Sequence, residues 1–259
     1  AMVVENPGNI SGWMTDNDGK LRIAITSDGV NTSILYREKE IDDFKNILTT
    51  NFKETVAPLF FTFDNDELYV ASNRGRDKTA IFKFNLNTAK EGELIFEHDE
   101  VDVYGLMRSK KRKKITGVSY TTDKRQMKFF DEWRQNLQNT LEYKLKNVEV
   151  AITDLSKDET KAIVITYSDK SRGTYYYYDI KTKKLRKLAD LSPWLDENQM
   201  AEMKPISYKS RDGLTINGYL TVPTDYNKGD KIPVVINPHG GPWVRDNWGF
   251  NPEIQYFAN

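Results

Sequence analysis

The chain has 259 residues, carries 38 Lys and Arg against 38 Asp and Glu, and contains no cysteine. Balanced charge gives no net field to attract nucleic acid or anionic lipid, so we expect neither as a partner, and the lack of cysteine excludes disulfides and thiol catalysis. No apolar run approaches the length of about 18 residues that crosses a bilayer, so we expect no membrane span. No signal peptide is visible after Ala1-Met2, which leaves the compartment open between cytoplasm and periplasm.

A repeat with a period of 47 residues runs through the first three quarters of the chain. Short β-prone runs recur at this spacing at Leu21–Ala24, Leu68–Ala71, Ile115–Val118 and Ala162–Ile165. A second series keeps the same spacing, at Ile34–Tyr36, Ile81–Lys83, Lys128–Phe130 and Tyr175–Tyr177. A period of about 40 to 50 residues is typical of the blades of a β-propeller.

Turn-forming residues separate the two series of runs. They are Ser27-Asp28-Gly29 in the first unit, Ser72–Asp77 in the second and Ser168–Gly173 in the fourth. Glycine supplies positive φ and Asn or Asp bonds its own backbone, so we predict hairpins. Further apolar runs flank each pair, which gives about four antiparallel strands per unit. The fold class predicted is therefore mainly β, a partial β-propeller of about four four-stranded blades.

The third unit departs from the repeat. Trp133, Leu137, Leu141 and Leu145 follow one another at steps of four, behind Asp131. This spacing predicts a short amphipathic helix that Asp131 caps and whose apolar stripe packs against a blade. The basic run Lys110–Lys114 between two apolar stretches indicates a solvated hairpin turn, with a contact surface as the alternative.

A second domain is predicted after the repeat. Residues 191–204 break the strand pattern and indicate a linker with a helical turn, between propeller blades at 1–190 and a C-terminal piece at 205–259. Two strands around Asp212-Gly213 open this piece, and the apolar run Ile232–Asn237 indicates a strand buried on both faces. At the end, Asn251 and Pro252 predict the start of a helix.

One motif of this second domain carries chemistry. His239-Gly240-Gly241-Pro242 follows the predicted strand, and this strand-then-glycine turn builds half of the oxyanion hole in α/β-hydrolases. The nucleophile elbow of those enzymes, Gly-x-Ser-x-Gly, is absent from the chain. The closest run, Gly117–Thr121, lacks the second glycine and lies in a predicted blade strand.

Several motifs in order resemble one known family. Ser210–Leu220, His239–Pro242 and Trp248-Gly249-Phe250 are similar to the start of the hydrolase domain in serine peptidases of the prolyl oligopeptidase family. The acylaminoacyl-peptidase and dipeptidyl-aminopeptidase-like branch is the most similar, and Ser72–Asp77 and Tyr175–Asp179 resemble its propeller. This resemblance spans essentially the whole chain. It implies a propeller that restricts access to an α/β-hydrolase active site and favours short peptides as substrates.

The resemblance also implies roles for individual residues. The Gly241 amide would donate to the oxyanion, Gly240 would permit the turn, and His239 and Pro242 would shape it. None of the catalytic serine, aspartate and histidine can be assigned in this chain, and no cofactor is expected. We expect no metal site at His98, since no second histidine or cysteine lies nearby.

Two further groups are candidate site residues. Arg74, Arg76 and Asp77 could read a peptide terminus, because arginine suits carboxylates, although hairpin geometry explains them as well. The four tyrosines Tyr175–Tyr178 are expected to alternate between the two faces of a strand, two packing between blades and two facing out.

The sequence therefore indicates a piece of a serine peptidase that ends before its nucleophile and is inactive by itself. The alternative is a non-catalytic β-propeller scaffold or interaction module, since that fold often serves binding. We also expect Ile232–Ile236 to lack sheet partners, which would favour ordering against the propeller or self-association of the chain.

Overall fold

The computed structural model describes residues 4–241 and 244–259 of the chain. Strands make up most of the regular structure, and they form sheets of consecutive, antiparallel neighbours. The first sheet contains β1 (Ile10–Thr15), β2 (Leu21–Ser27), β3 (Thr32–Tyr36) and β4 (Lys45–Thr50). The second contains β5 (Val56–Phe61), β6 (Glu67–Ser72), β7 (Ala80–Asn85) and β8 (Lys90–Phe96). This arrangement confirms the predicted mainly β fold with blade-like antiparallel sheets.

The third sheet has three strands instead of the four predicted. They are β9 (Val103–Ser109), β10 (Lys114–Thr121) and β11 (Arg125–Phe129). Helix α1 (Glu132–Lys144) follows directly in the chain, because the sequence changes there from alternating residues to apolar residues four apart. The fourth sheet again has four strands, β12 (Glu149–Leu155), β13 (Lys161–Tyr167), β14 (Thr174–Asp179) and β15 (Lys184–Asp190).

The 47-residue repeat corresponds to the spacing of equivalent strands in successive sheets. Each run of the first series lies in the second strand of its sheet, and each run of the second series lies in or overlaps the third strand. The same repeat position is fully buried as Ile23, Val70 and Val164 in three of the sheets. The repeat thus marks the core-facing centre of each blade-like sheet.

The turn between the first and second strands has the same backbone shape in all four sheets. One residue in each turn has a positive φ, and these residues are spaced within one position of the repeat. They are Gly19 (φ 79°), Asn65 (65°), Lys113 (49°) and Glu159 (51°). Four different side chains therefore occupy one left-handed backbone position.

Helix α1 packs on the fourth sheet as its apolar stripe predicted. Leu137 and Leu141 are buried in a cluster with Val150, Val164 and Tyr178. The buried Gln138 donates from Nε2 to the carbonyl oxygen of Val150 on β12 at 2.7 Å. The helix is thereby joined to the sheet by both apolar burial and a hydrogen bond.

The basic run before this helix is more than a solvated turn. It does form the β9–β10 hairpin, as predicted. Arg112 Nη1, however, lies 2.7 Å from Asp131 Oδ1, and Lys114 Nζ lies 2.8 Å from Asp131 Oδ2. The Asp131 side chain is almost completely buried, and a buried carboxylate needs such cationic partners to offset its lost hydration. Two of the five basic residues are therefore held inward by Asp131.

The chain divides into two compact units, one ending at Asp131 and the other beginning at Glu132. The second unit contains α1, the fourth sheet, a 3-10 turn at Glu197–Gln199, the hairpin β16 (Met203–Lys209) and β17 (Thr215–Thr221), and α2 (Pro252–Ala258). Asn251 caps α2 by accepting from the Glu253 and Ile254 amides, as predicted. The predicted linker at 191–204 lies within this second unit. No helix among the described residues is long and apolar enough to span a bilayer.

The strand predicted at Ile232–Asn237 is not formed. The segment has no regular structure, and Val234 and Ile236 are 82% and 85% exposed. A strand requires a neighbouring backbone to pair with its N–H and C=O groups, and none of the described strands lies alongside this segment. Apolar composition alone was therefore an insufficient basis for the prediction.

Candidate functional site

The glycine corner at His239-Gly240-Gly241 is exposed to solvent along its whole described length. His239 Nδ1 lies 2.7 Å from the carbonyl oxygen of Gly240, a contact in which the ring nitrogen donates because a carbonyl can only accept. Gly241 has a φ of 130°, a backbone conformation that residues other than glycine rarely adopt. Pro242, which was predicted to shape the turn, lies outside the described residues.

The space beside this corner is open. A Cβ placed on Gly240 would meet no heavy atom within 4 Å. A backbone amide that is to bind a substrate oxygen needs such an unobstructed approach. The arrangement therefore provides a glycine backbone that a substrate carbonyl can reach. The assignment of Gly240 and Gly241 to an oxyanion hole remains a prediction.

The corner lies between two anchored parts of the second unit. Residues 222–241 and 244–250 contain neither helix nor strand, whereas the hairpin β16–β17 precedes them and α2 follows. Trp248 Nε1 donates to the carbonyl oxygen of Met203 on β16 at 2.8 Å. This hydrogen bond attaches the segment after the corner to the hairpin before it.

A buried amide side chain, which the sequence analysis missed, holds α2 in place. Gln255 Nε2 donates to the carbonyl oxygens of Asp169 (3.1 Å) and Ala201 (2.9 Å), and Gln255 Oε1 accepts from the Ala201 amide (2.8 Å). Asp169 in turn accepts the Met203 amide through Oδ2 at 2.7 Å. Gln255 is the fourth residue of α2, and nothing in the local sequence indicates that its partners Ala201 and Asp169 lie 54 and 86 residues away.

The hairpin turn at the start of the predicted hydrolase piece has the predicted form. Gly213 has a φ of 85°, and its amide donates to the Ser210 carbonyl at 3.0 Å. The Asp212 carboxylate accepts from the Ser210 hydroxyl and the Leu214 amide. These hydrogen bonds, that from Ser210 first, lower the pKa of Asp212, so the carboxylate serves the turn as an ionised acceptor.

The residues predicted to bind a peptide terminus, Arg74, Arg76 and Asp77, each have local contacts. Arg76 Nη1 lies 2.9 Å from Glu97 Oε2, and its guanidinium stacks over Phe82. Asp77 is exposed and lies 3.1 Å from Lys78. The Arg74 amide donates to the Ser72 hydroxyl within the hairpin. Arg76 and Asp77 are therefore explained by the hairpin structure and by local ion pairs, and not by recognition of a peptide terminus.

The remaining candidates occupy structural positions. His98 accepts the Glu100 amide through Nδ1 at 3.1 Å and packs 4.8 Å from the Tyr120 ring. Among the described residues, no group of three or more His, Asp or Glu side chains could hold a metal ion. Gly117–Thr121 lies in β10, so its serine is a strand residue. Tyr176 and Tyr178 pack against the α1 cluster, while Tyr177 lies under Arg186.

Comparison with known proteins finds similarity to peptidases. No model of a known protein family matches the chain. A curated relative, dipeptidyl aminopeptidase BIII of Pseudoxanthomonas mexicana, is 29% identical over an alignment that covers 100% of this chain and 38% of the relative. This similarity confirms the resemblance to peptidases of the prolyl oligopeptidase family.

Solved structures support the fold. A puromycin hydrolase matches with a TM-score of 0.66 and 16% identity, over 98% of this chain and 40% of that one. A prolyl endopeptidase matches with a TM-score of 0.67 and 15% identity, over 100% of this chain and 38% of that one. At such identities the likeness concerns the fold alone. The chain spans about two fifths of the length of these proteins.

Proposed function

We propose that the chain is part of a serine peptidase of the prolyl oligopeptidase family that hydrolyses short peptides. The observation that carries this proposal is the 29% identity to a dipeptidyl aminopeptidase along the whole chain. The ordered motifs Ser210–Leu220 and His239–Pro242 support it independently, because they fall where a hydrolase domain would begin after blade-like sheets. We propose the corresponding division into propeller blades at 1–190, a linker at 191–204 and a hydrolase piece at 205–259.

The proposed chemistry of this chain is to supply one donor to the oxyanion. Hydrolysis of a peptide bond passes through a tetrahedral intermediate whose oxygen becomes negatively charged. The Gly241 amide would donate to that oxygen, and the absence of a side chain at Gly240 leaves the approach open. The attacking serine, the second donor and the catalytic acid and base would come from the part of the longer relatives that this chain does not span.

The blade-like sheets have a separate role in this proposal. They would stand in front of the hydrolase site and admit only short, flexible peptides. Removal of the sheets would then widen the range of substrates without abolishing hydrolysis. The chain by itself would be inactive, because its sequence contains no Gly-x-Ser-x-Gly nucleophile elbow.

The experiment compares the product of the complete gene with the 259-residue chain. Both are assayed with a series of dipeptidyl chromogenic substrates and with a longer peptide. We expect hydrolysis of short substrates by the complete product and none by the chain. An inactive complete product whose sequence contains no Gly-x-Ser-x-Gly elbow would overturn the proposal.

A variant tests the role of the glycine corner. In the complete gene product, Gly241→Pro removes the amide proton, and loss of one oxyanion donor lowers kcat by about 10² to 10³-fold. Gly229→Pro is the matched control, since Gly229 is also exposed and has a positive φ of 111° but lies in the preceding turn. Equal kcat values for the two variants would contradict the oxyanion role of Gly241.

The second candidate is a non-catalytic binding module. The glycine corner is exposed to solvent and the sequence contains no Gly-x-Ser-x-Gly elbow, which favours this alternative. A complete product that binds short peptides and does not cleave any of them would establish it.

A further inference from the structure

Arg108, on the third sheet, lies against an aromatic ring and an uncharged acceptor. Its guanidinium lies over the Phe60 ring, with Cζ 3.9 Å from the ring centroid. Arg108 Nη1 donates to Asn17 Oδ1 at 3.3 Å, and this is a neutral amide oxygen. Burial lowers the pKa of the Arg108 guanidinium, which remains positively charged at neutral pH. A partly dehydrated cation is therefore held here by a ring and an uncharged acceptor.

Three other arginines of the same unit are neutralised by carboxylates. Arg22 lies 3.6 Å from Asp16, Arg76 lies 2.9 Å from Glu97, and Arg112 lies 2.7 Å from Asp131. Within the described residues, no carboxylate comes within ion-pair distance of Arg108. Since an arginine has five N–H donors and one of them reaches Asn17, donor capacity remains for a ligand.

The surroundings of Arg108 are fixed in place. The Phe60 ring packs 5.4 Å from the ring of Tyr69, which is buried. The Asn17 amide nitrogen donates to the Thr62 carbonyl and to Asn65 Oδ1, both at 2.8 Å, so its oxygen is turned toward Arg108. Stacking and this oriented acceptor fix the plane of the guanidinium. A preorganised planar fork binds a carboxylate through two parallel hydrogen bonds.

The location joins three consecutive sheets. Arg108 lies on β9 and Phe60 on β5, the first strands of their sheets, and Asn17 lies in the turn after β1. In a propeller the first strands of the blades surround the central channel. The contact of all three sheets at one guanidinium therefore places Arg108 where their first strands approach one another.

We propose that Arg108, with Asn17 and Phe60, forms a binding site for a peptide carboxylate. The geometry of the guanidinium indicates a carboxylate as the ligand group. That this carboxylate belongs to a peptide rests on the proposed peptidase function. The carboxylate can be the C-terminus of a peptide or an acidic side chain.

Three peptides of equal length distinguish these sources. They are trialanine with a free C-terminus, trialanine amide, and the amide of Ala-Glu-Ala. Binding to the 259-residue chain is measured by NMR titration of the arginine Nε–H resonances, which requires no hydrolysis and is independent of catalytic activity. We expect one of the carboxylate-bearing peptides to bind about tenfold more tightly than trialanine amide and to shift the Arg108 resonance.

Two variants attribute this preference to the site. Arg108→Gln should abolish the preference for the carboxylate, whereas Arg125→Gln, at an exposed position of the same sheet, should retain it. Equal binding of all three peptides by the wild-type chain, or an unchanged preference in Arg108→Gln, would overturn the proposal. If Arg108→Gln does not fold, Arg108→Lys retains the charge without the planar fork, and a preference equal to that of the wild type would overturn it.

Discussion

At the residue scale, Gly173 occupies a position that both backbone conformation and space restrict to glycine. It has a φ of 106°, and a Cβ added to it would lie 1.7 Å from the carbonyl oxygen of Thr166. That oxygen belongs to the backbone of β13 and cannot move aside without disturbing the sheet. The hairpin between β13 and β14 therefore requires glycine for both its conformation and its space.

We predict that Gly173→Ala lowers the free energy of unfolding by more than about 3 kcal/mol, because a backbone clash adds to the strain of a positive φ. The matched control is Gly213→Ala in the same unit, where φ is 85° and a Cβ would meet nothing within 4 Å. That control should cost about 1 to 2 kcal/mol from backbone strain alone. Urea unfolding followed by tryptophan fluorescence measures both. Equal costs would show that the loop relaxes around the new methyl group.

At the element scale, helix α1 replaces part of a blade with a different way of covering a sheet. Its buried leucines pack on Val150, Val164 and Tyr178 of the fourth sheet. A strand would have extended a hydrogen-bonded sheet, whereas the helix covers the sheet face with side chains. The stability of this part of the chain should consequently depend on the volume of those side chains.

We predict that Leu141→Ala lowers the free energy of unfolding by about 2 to 5 kcal/mol, as expected for a cavity in a packed core. Leu141 is fully buried. Tyr143→Ala on the exposed side of the same helix is the control and should change stability by less than about 0.5 kcal/mol. Thermal and urea unfolding, followed by circular dichroism, measure the difference. Similar losses for the two variants would mean that the helix is only loosely packed.

Elements that are specified by a repeat or by local residues were predicted correctly, whereas an element that depends on a distant partner was not. The strand runs at Leu68–Ala71 and Ile81–Lys83 were predicted correctly because the repeat registers the same pattern several times along the chain. Helix α2 was predicted because Asn251 and Pro252 act locally. The strand at Ile232–Asn237 was wrong because pairing depends on a neighbour that the local sequence does not specify.

The candidate site was less predictable for the same reason. The glycine corner could be recognised from its motif, but its exposure could not. Arg108 was overlooked, since its significance comes from Phe60 and Asn17, which lie 48 and 91 residues earlier in the chain. Arg76 was considered instead, and its pairing with Glu97 removed the reason for doing so.

At the scale of the whole molecule, long-range hydrogen bonds hold the second unit together. Gln255 joins α2 to Ala201 and to Asp169, and Asp169 joins the β13–β14 hairpin to Met203. The predicted linker and the predicted hydrolase piece are thereby attached to the fourth sheet through one buried amide. This network compensates for the small apolar core in that part of the chain, where β16 and β17 are mostly exposed or half-buried.

We predict that Gln255→Ala increases the rate of tryptic cleavage between Lys204 and Arg245 by about tenfold, because it leaves buried backbone groups without partners and favours local opening. Tyr256→Ala, at the next and exposed position of α2, should leave the rate unchanged. Limited proteolysis followed by mass spectrometry locates the cuts. Unaltered cleavage in Gln255→Ala would show that other contacts are sufficient to hold the segment.

The left-handed turn that recurs after the first strand of every blade-like sheet bears on how such proteins diverge. Gly19, Asn65, Lys113 and Glu159 accept one backbone shape although their side chains have little in common. Strand pairing on both sides imposes the turn, so the identity of the turn residue is free to drift during evolution. A fold held in this way tolerates extensive replacement, in accord with the 15% identity at a TM-score of 0.67.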